Sequence, residues 1–136
     1  MVTRFLIVDD DEEDRELFCE AVKEVDASIK CCEAVDGEAG MRLLTQATVR
    51  PDFVFLDINM PRMNGFQFID KIKAIPALAD IPVIIYSTSK LPNVKIQLLQ
   101  KGAVHFITKP DKLSDLMEQL VFVLWRKWEL PLNTRK

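Results

Sequence analysis

Four short apolar segments of the chain each end in a group that could bind a phosphate or a divalent cation. In chain order these groups are Asp9 with Asp10, Asp57, Ser87 and Lys109. If the segments are parallel strands of one sheet, the groups all meet at one edge, where such sheets bind ligands. Three carboxylates at one edge repel one another, by about 4 kcal/mol per pair at a separation of 4 Å and an effective dielectric near 20. The cluster therefore needs positive charge, of which Lys109 supplies one unit and a divalent cation would supply two.

The donor atoms of this cluster favour a hard divalent cation. Mg²⁺ and Mn²⁺ prefer carboxylate, carbonyl and water oxygens, whereas Zn²⁺ prefers nitrogen and sulfur. The three cysteines, Cys19, Cys31 and Cys32, have neither the C-x-x-C spacing of a metal site nor a disulfide framework. Reduced thiols in or near the core are expected. The predicted cofactor is therefore Mg²⁺, and Mn²⁺ would fit the same oxygen ligands.

The elements that would position these residues alternate between strand and helix. Predicted strands cover residues 4–8, 29–34, 53–56, 83–86 and 104–108. Apolar residues at three- and four-residue spacing follow each strand and predict a helix there. This alternation predicts an α/β fold, a flavodoxin-like, doubly wound sheet of five parallel strands in the order 2-1-3-4-5, with helices on both faces. In that order the ligand edge lies where the first and third strands end.

The chain has the size of one domain that does not enter a membrane. Its 136 residues are 49% hydrophobic, which suits a single core. The longest apolar runs, residues 82–86 and 120–125, are far shorter than the roughly 20 residues of a membrane helix. Residues 2–8 carry Arg4 and lead directly into acids, unlike a signal peptide. These features predict a cytoplasmic protein.

The charge of the chain is concentrated in one segment. The net charge is −3, and residues 9–14 are six consecutive acids. The rest of the chain is therefore net positive, but its basic residues are scattered. They form no stripe that would follow a phosphate backbone, which argues against nucleic acid binding.

The sequences around these strand ends closely resemble the receiver domain of two-component response regulators. The matching motifs are Ile7-Val8-Asp9-Asp10-Asp11, Phe55-Leu56-Asp57-Ile58-Asn59-Met60-Pro61-Arg62-Met63-Asn64-Gly65, Ile84-Ile85-Tyr86-Ser87-Thr88 and Phe106-Ile107-Thr108-Lys109-Pro110. Any one motif is weak evidence, but all four stand in the right order at predicted strand ends. The expected receiver domain covers residues 1–128, and residues 129–136 form a short tail without an output domain.

The resemblance implies a phosphorylation switch with a metal ion beside the acceptor. Asp57 would accept a phosphoryl group from a phosphohistidine of a sensor histidine kinase. Asp10, Asp57 and the backbone carbonyl of Asn59 would bind Mg²⁺ directly, and Asp9 would hold the ion through water. Gly65 would have a structural role in the loop that follows Asp57.

The resemblance also assigns the groups that would surround the phosphoryl oxygens. Lys109 and Ser87 would bind them through side chains, and Thr88 would bind through its backbone N–H. Movement of Ser87 toward the phosphoryl group would let the ring of Phe106 turn inward and change the face made by the fourth helix, fifth strand and fifth helix. A cis bond before Pro110 would aim the lysine ammonium at the site. Since Phe106 lacks the hydroxyl of the tyrosine often present in the family, its coupling would rest on packing.

Several neighbouring residues have simpler interpretations. The acids at positions 11–14 are expected to stabilise the positive end of a helix and to do no chemistry. Asp10 with Asp11 is an alternative assignment of the metal-binding pair. His105, the one histidine of the chain, is expected to have a structural or surface role.

The expected partners follow from the short tail and from the last predicted helix. A regulator without an output domain would act on a downstream protein target or on a phosphotransfer protein. Trp125 and Trp128 lie near the end of the last helix, which is predicted to reach about residue 128. Core packing accounts easily for one of them, and a homodimer or partner surface is the second interpretation, because aromatic residues are enriched at interfaces.

Two other functions fit parts of the pattern. A small Mg²⁺-dependent aspartyl-phosphate phosphatase also uses a strand-end aspartate and a lysine. The sequences of such enzymes resemble Asp-x-Asp, however, and this chain has Asp57-Ile58-Asn59, which lacks the second aspartate. A flavodoxin-like flavin binder would place its phosphate beside six acids, which would repel it. The chain is therefore not expected to be an enzyme beyond catalysing its own phosphotransfer and autodephosphorylation.

Overall fold

The structure of the protein is a computed structural model, which describes residues 2–46, 50–88 and 92–126. Within these residues, five strands alternate with five helices. The strands are β1 (Arg4–Val8), β2 (Lys30–Ala34), β3 (Phe53–Leu56), β4 (Val83–Ser87) and β5 (His105–Thr108). The helices are α1 (Glu12–Val25), α2 (Gly37–Gln46), α3 (Gly65–Ala74), α4 (Pro92–Gln100) and α5 (Leu113–Trp125).

The five strands form one parallel sheet in the order β2-β1-β3-β4-β5. In the register of the central pair, Val8 of β1 lies opposite Leu56 of β3. The residues that follow these two strands, Asp9 and Asp57, therefore leave the sheet side by side. The predicted fold class and strand order are confirmed.

Alternate residues of the strands supply two separate cores, one on each face of the sheet. On the first face, residues such as Leu6, Leu56 and Ile85 pack with residues of α2, α3 and α4. On the second face, Phe5, Phe55 and their neighbours pack with α1 and α5. Burial of apolar surface on both faces is typical of parallel sheets, whose strands read as continuous apolar runs. Packing on both faces therefore holds the strands in place, together with the polar residues at their ends.

Local sequence signals set the ends of several helices. The Asp11 side chain accepts a hydrogen bond from the backbone N–H of Asp14 and caps α1. Asn64 and Gln67 form a capping box at the start of α3. Gly102 follows α4 with φ of 114°, a conformation that favours glycine. These caps place α1 and α3 directly after the polar loops at the ends of β1 and β3.

The last helix differs in part from its prediction. The described part of α5 ends at Trp125, and the predicted extension to about residue 128, with Trp128, lies outside the described residues. The Trp125 side chain is 84% exposed, so core packing does not account for it. Among the described residues, no helix has both the length and the apolar character needed to cross a membrane.

Candidate functional site

The sheet brings three of the predicted site carboxylates together. The backbone N–H of Asp9 donates to Ala34 of β2, and that of Asp57 donates to Val8 of β1, so both residues continue the sheet hydrogen bonding. Carboxylate oxygens of Asp9, Asp10 and Asp57 lie within 4.8 Å of one another. Asp9 and Asp57 are buried, whereas Asp10 is exposed. The cluster therefore has one solvent-facing side through which a ligand can enter.

Lys109 crosses the site from the end of β5. Its Nζ lies 2.8 Å from Oδ2 of Asp9, 2.7 Å from Oδ2 of Asp14 and 3.8 Å from Oδ1 of Asp57. Below it, the ring centroid of Tyr86 is 5.4 Å from Nζ, within the range of a cation–π contact. The lysine thus makes direct ion pairs with Asp9 and Asp14, and a longer contact with Asp57.

The predicted cis bond before Pro110 is wrong. No cis peptide bond occurs in the described residues, which include both Lys109 and Pro110. The trans form is intrinsically favoured at X-Pro bonds. Since Lys109 Nζ reaches Asp9 at 2.8 Å with a trans bond, the contact does not require the other isomer.

Asp14 was expected to act only at the helix end, and this interpretation is incomplete. Its side chain, one turn into α1, accepts a hydrogen bond from Lys109 Nζ at 2.7 Å. The next residue, Arg15, donates from Nη1 to the backbone carbonyl of Asp9 at 2.8 Å and pairs with Glu33 at 3.2 Å. The acidic run itself was the available signal, because it carries Asp14 into the first turn of α1 directly after the loop that holds Asp9 and Asp10.

Burial and like charge perturb the ionisation of the site. Burial raises the pKa of Asp57 to about 6, helped by the nearby charges of Asp9 and Asp10 and opposed by Lys109. Burial also raises the pKa of Asp9, while Lys109 and the N–H of Asp11 act against it. For Lys109, burial acts to lower the pKa, but the hydrogen bonds that it donates to Asp14 and Asp9 outweigh burial and raise the pKa. The lysine is therefore firmly charged, and Asp57 is the carboxylate with an exceptional need for further positive charge.

The loop after Asp57 is held close to the start of α3. Oδ1 of Asp57 accepts from the N–H of Ile58 at 2.9 Å, and the N–H of Gly65 donates to the carbonyl of Ile58 at 2.8 Å. A Cβ on Gly65 would lie 2.9 Å from the Ile58 Cα and 3.0 Å from the Asp57 carbonyl oxygen. The residue is therefore restricted by the close approach of two backbones. Asn59, the predicted carbonyl ligand, is exposed in this loop.

The residues predicted to sense the phosphoryl group lie at the ends of β4 and β5. Ser87 is fully buried, and its carbonyl accepts from the N–H of Lys109 at 2.9 Å. Thr88 follows it and is exposed. Phe106 is half-buried, pairs with Ile85 across the sheet and packs against the first core. The roles of these residues stay predictions, since no phosphorylated state is described.

The alternative metal pair of Asp10 with Asp11 is not favoured by the geometry. The side chain of Asp11 is turned to the start of α1, where it accepts from the N–H of Asp14 at 3.0 Å. The three-carboxylate group instead contains Asp9, Asp10 and Asp57. This all-oxygen donor set, with one lysine against three acids, fits a divalent cation such as Mg²⁺ or Mn²⁺.

The comparisons with known proteins agree with the fold and identify the family. Residues 5–121 match the response regulator receiver domain. The probable C4-dicarboxylate response regulator DctR of Bacillus subtilis (strain 168) is 31% identical over 117 residues, which make up 86% of this chain and 50% of that protein. The chain thus spans about half the length of this curated relative.

Two solved structures with similar folds are response regulators. The phosphorylated cyanobacterial phytochrome response regulator RcpA has a TM-score of 0.82 and 27% identity, covering 90% of this chain and 91% of that chain. The Mn²⁺-bound form of the response regulator Rcp1 has a TM-score of 0.79 and 27% identity, covering 95% of this chain and 99% of that chain. With the family match over residues 5–121, the chain belongs to the response regulator receiver domains of two-component signalling.

Proposed function

We propose that the protein is a phosphorylation-dependent switch in which Asp57 accepts a phosphoryl group from a phosphohistidine of a sensor histidine kinase. The phosphorylated form would pass the signal on through contacts with other proteins. The observation that carries the proposal is the environment of Asp57. The side chain of Asp57 is 8% exposed, shares the sheet edge with Asp9 and Asp10, and has Oδ1 3.8 Å from Lys109 Nζ.

This environment suits a carboxylate nucleophile at neutral pH. With a pKa raised to about 6, Asp57 is mostly ionised at pH 7 but poorly compensated. An oxygen of its carboxylate would attack phosphorus and form an acyl phosphate, while the bond from phosphorus to the donor nitrogen breaks. The electron pair of that bond remains on the leaving imidazole, which takes up a proton. Phosphoryl transfer depends mainly on positioning and charge neutralisation, and the buried lysine is placed to contribute both.

Residues around Asp57 would bind the transferred group. Lys109 lies close enough to approach the phosphoryl oxygens once it leaves one of its present partners. The buried Ser87 hydroxyl and the N–H of Thr88, at the end of the neighbouring strand, would complete the contacts. A divalent ion would neutralise charge on the phosphoryl oxygens, and Asp9, Asp10, Asp57 and the Asn59 carbonyl are the groups that would hold it. The Mn²⁺-bound form of Rcp1 supports this part of the proposal.

The signal would leave the site through the far strands. Ser87 and Phe106 lie on β4 and β5, and Phe106 packs against the core that underlies α4. A shift of Ser87 toward the phosphoryl group would change the packing of this ring and of the face made by α4, β5 and α5. That face would bind a downstream target or a phosphotransfer protein, and the exposed Trp125 makes a homodimer through α5 an additional candidate.

Intact mass spectrometry after incubation with acetyl phosphate and Mg²⁺ tests the proposal. The wild-type protein should gain the mass of one phosphoryl group, and Asp57→Asn should gain none. Asp70→Asn is the matched control. Asp70 is an exposed acid on α3 that pairs with Lys101 and lies outside the cluster. EDTA should prevent labelling. Equal labelling of the wild type and Asp57→Asn would refute the assignment.

A further inference from the structure

Two cysteine side chains meet on the face of the sheet covered by α1. The sulfur atoms of Cys19, on α1, and Cys31, on β2, are 3.0 Å apart. This separation is about 1 Å longer than a disulfide bond of roughly 2.05 Å. A movement of about 1 Å by the two sulfur atoms would therefore bring them to bonding distance. Both side chains are half-buried, which leaves them accessible to a small reagent.

The fold brings this pair together by the alternation of β2. Cys31 pairs with Phe5 of β1 and packs, with Cys19, against the second core. The next residue, Cys32, pairs with Leu6, a residue of the opposite core, and is exposed. Successive residues of a strand point to opposite faces, so only one of the two adjacent cysteines faces α1. Cys32 is therefore a built-in control of the same residue type.

The contact also gives the two thiols different pKa values and therefore different reactivities. A hydrogen bond from Cys31 lowers the pKa of Cys19, and burial opposes this effect. The same hydrogen bond, together with burial and the nearby charge of Glu33, raises the pKa of Cys31. The thiolate is the reactive form of cysteine. Cys19 is thus the expected nucleophile, with Cys31 as the thiol that supplies the proton and resolves the intermediate.

We propose that Cys19 and Cys31 form a reversible thiol-modification site, which a hydroperoxide oxidises to an intramolecular disulfide. The Cys19 thiolate attacks the peroxide, the O–O bond breaks, and a sulfenic acid forms with release of hydroxide or alkoxide. The Cys31 sulfur then attacks the sulfenic sulfur. The S–S bond forms as the S–O bond breaks, and the hydroxyl leaves as water with the Cys31 proton. A dithiol reverses the process by thiol–disulfide exchange.

The bond would connect α1 to the outermost strand of the sheet. β2 has a strand partner on one side only, which is β1. A disulfide between positions 12 residues apart would restrict the unfolded chain and fasten this edge to α1. The oxidised protein should therefore have a higher thermal unfolding midpoint than the reduced one. The proposal is independent of phosphorylation at Asp57.

Peptide mapping of the oxidised full-length chain tests the proposal. The reduced protein is treated with one equivalent of hydrogen peroxide, alkylated and digested with trypsin without reduction. Cys19 lies in the peptide of residues 16–23, whereas Cys31 and Cys32 lie in that of residues 31–42. The expected product is a cross-link between these peptides, with loss of two hydrogen atoms and alkylation of Cys32. Dithiothreitol should separate the peptides.

Three single variants identify the partners. Cys32→Ser should retain the cross-link and its stabilising effect, whereas Cys19→Ser and Cys31→Ser should lose both. A cooperative thermal unfolding transition of the reduced form of each variant confirms that it is folded. Persistence of the cross-link in Cys31→Ser would assign it to Cys32 and overturn the proposal. A cross-link only between two chains, or oxidation of the wild type to sulfinic acid without a cross-link, would also overturn it.

Discussion

The ends of β1 and β3 each place a buried aspartate at the same edge of the sheet, but the two carboxylates have different partners. Asp9 is fully buried, lies 2.8 Å from Lys109 Nζ and accepts a hydrogen bond from the N–H of Asp11. Asp57 accepts from the N–H of Ile58 and is 3.8 Å from the same lysine. The lysine therefore compensates Asp9 more directly than Asp57.

If Asp57 is the phosphoryl acceptor, as we propose, position in the sheet does not by itself decide which carboxylate reacts. Each oxygen of Asp9 has a partner, because Oδ2 pairs with Lys109 and Oδ1 accepts from the N–H of Asp11. Asp57 makes its contacts with Ile58 and Lys109 through Oδ1, which leaves Oδ2 for attack. The pKa of about 6 at Asp57 expresses the same imbalance, because burial there outweighs the attraction of Lys109. Under the proposed function, Lys109 thus distinguishes Asp9, which would hold the metal ion, from Asp57, which would accept the phosphoryl group.

Removal of the lysine charge should abolish this difference and give the largest effect. Lys109→Met is expected to slow labelling of Asp57 by acetyl phosphate by about 100-fold, the effect of losing one positioned electrostatic group. It should also lower the free energy of unfolding at pH 8 by about 3 kcal/mol, because buried Asp9 loses its cation. The rate is measured by mass spectrometry and the stability by urea unfolding.

The control for this substitution is Lys112→Met. Lys112 is exposed, three residues after Lys109, and makes no side-chain cap to α5. It should leave both quantities unchanged. An unchanged labelling rate in Lys109→Met would mean that Lys109 serves Asp9 alone.

The unusual ionisation of Asp57 predicts a pH dependence of stability. Since the pKa rises from 3.8 to about 6 on folding, the folded state binds more protons than the unfolded state between these values. This residue therefore favours folding at low pH, and its contribution is lost as pH rises through about 6. The rise in the pKa of Asp57 from 3.8 to about 6 corresponds to a change of about 3 kcal/mol in the free energy of unfolding.

Comparison of Asp57→Asn with the wild type isolates this contribution. In EDTA, the variant should be more stable than the wild type at pH 8, by up to the same amount, and the difference should vanish near pH 4. Urea unfolding at a series of pH values measures it. Asp70→Asn, which changes an exposed acid, should show no such dependence. A difference that does not vary with pH would contradict the raised pKa.

The sequence predicted the parts of the molecule that depend on periodicity. Apolar runs predicted β1, β3, β4 and β5. Their alternation with helical patterns predicted a parallel, doubly wound sheet whose strand ends carry Asp9 and Asp57. The proline that begins α4, Pro92, and the glycine after its end, Gly102, are sequence signals of the same kind, because each has a conformational cause within the residue itself.

The parts that the sequence did not predict depend on side-chain contacts between distant elements. Asp14 and Lys109 are 95 positions apart and meet only because α1 begins, and β5 ends, at the same edge of the sheet. The isomer of the bond before Pro110 is not encoded by the dipeptide. The exposure of Trp125 depends on how α5 is rotated about its axis. Because much of α5 is apolar, its sequence alone did not show whether this side chain faces the core or the surface.

The close approach of backbones beside Asp57 provides a third test of the comparison. Gly65→Ala would place a Cβ 2.9 Å from the Ile58 Cα, and neither backbone can yield without moving the end of β3. A loss of about 1 to 3 kcal/mol in the free energy of unfolding is expected, as for overpacked sites, with slower labelling of Asp57. Gly37→Ala is the control, because the three atoms nearest to its added Cβ, at 2.9 to 3.0 Å, belong to the side chain of Met63 and not to a backbone. Equal losses in the two variants would contradict the special role of the loop.

The smallest effect concerns Asp14, which competes for the same lysine. Its side chain is 34% exposed, so its pair with Lys109 should stabilise the fold by less than about 1 kcal/mol. Asp14→Asn would free Lys109 to approach Asp57. We expect labelling by acetyl phosphate to become faster, by at most about fivefold if the whole of that energy is released.

The control for Asp14→Asn is Glu13→Gln, which removes an exposed acid from the same helical turn and should leave the rate unchanged. The two variants lose the same charge, so a general change in the field of the acidic run would affect both. A faster rate in Asp14→Asn alone would mean that Asp14 holds the lysine away from the acceptor. A slower rate would mean instead that Asp14 positions Lys109 for the phosphoryl group. The different environments of Asp9 and Asp57 would then depend on Asp14 as well as on Lys109.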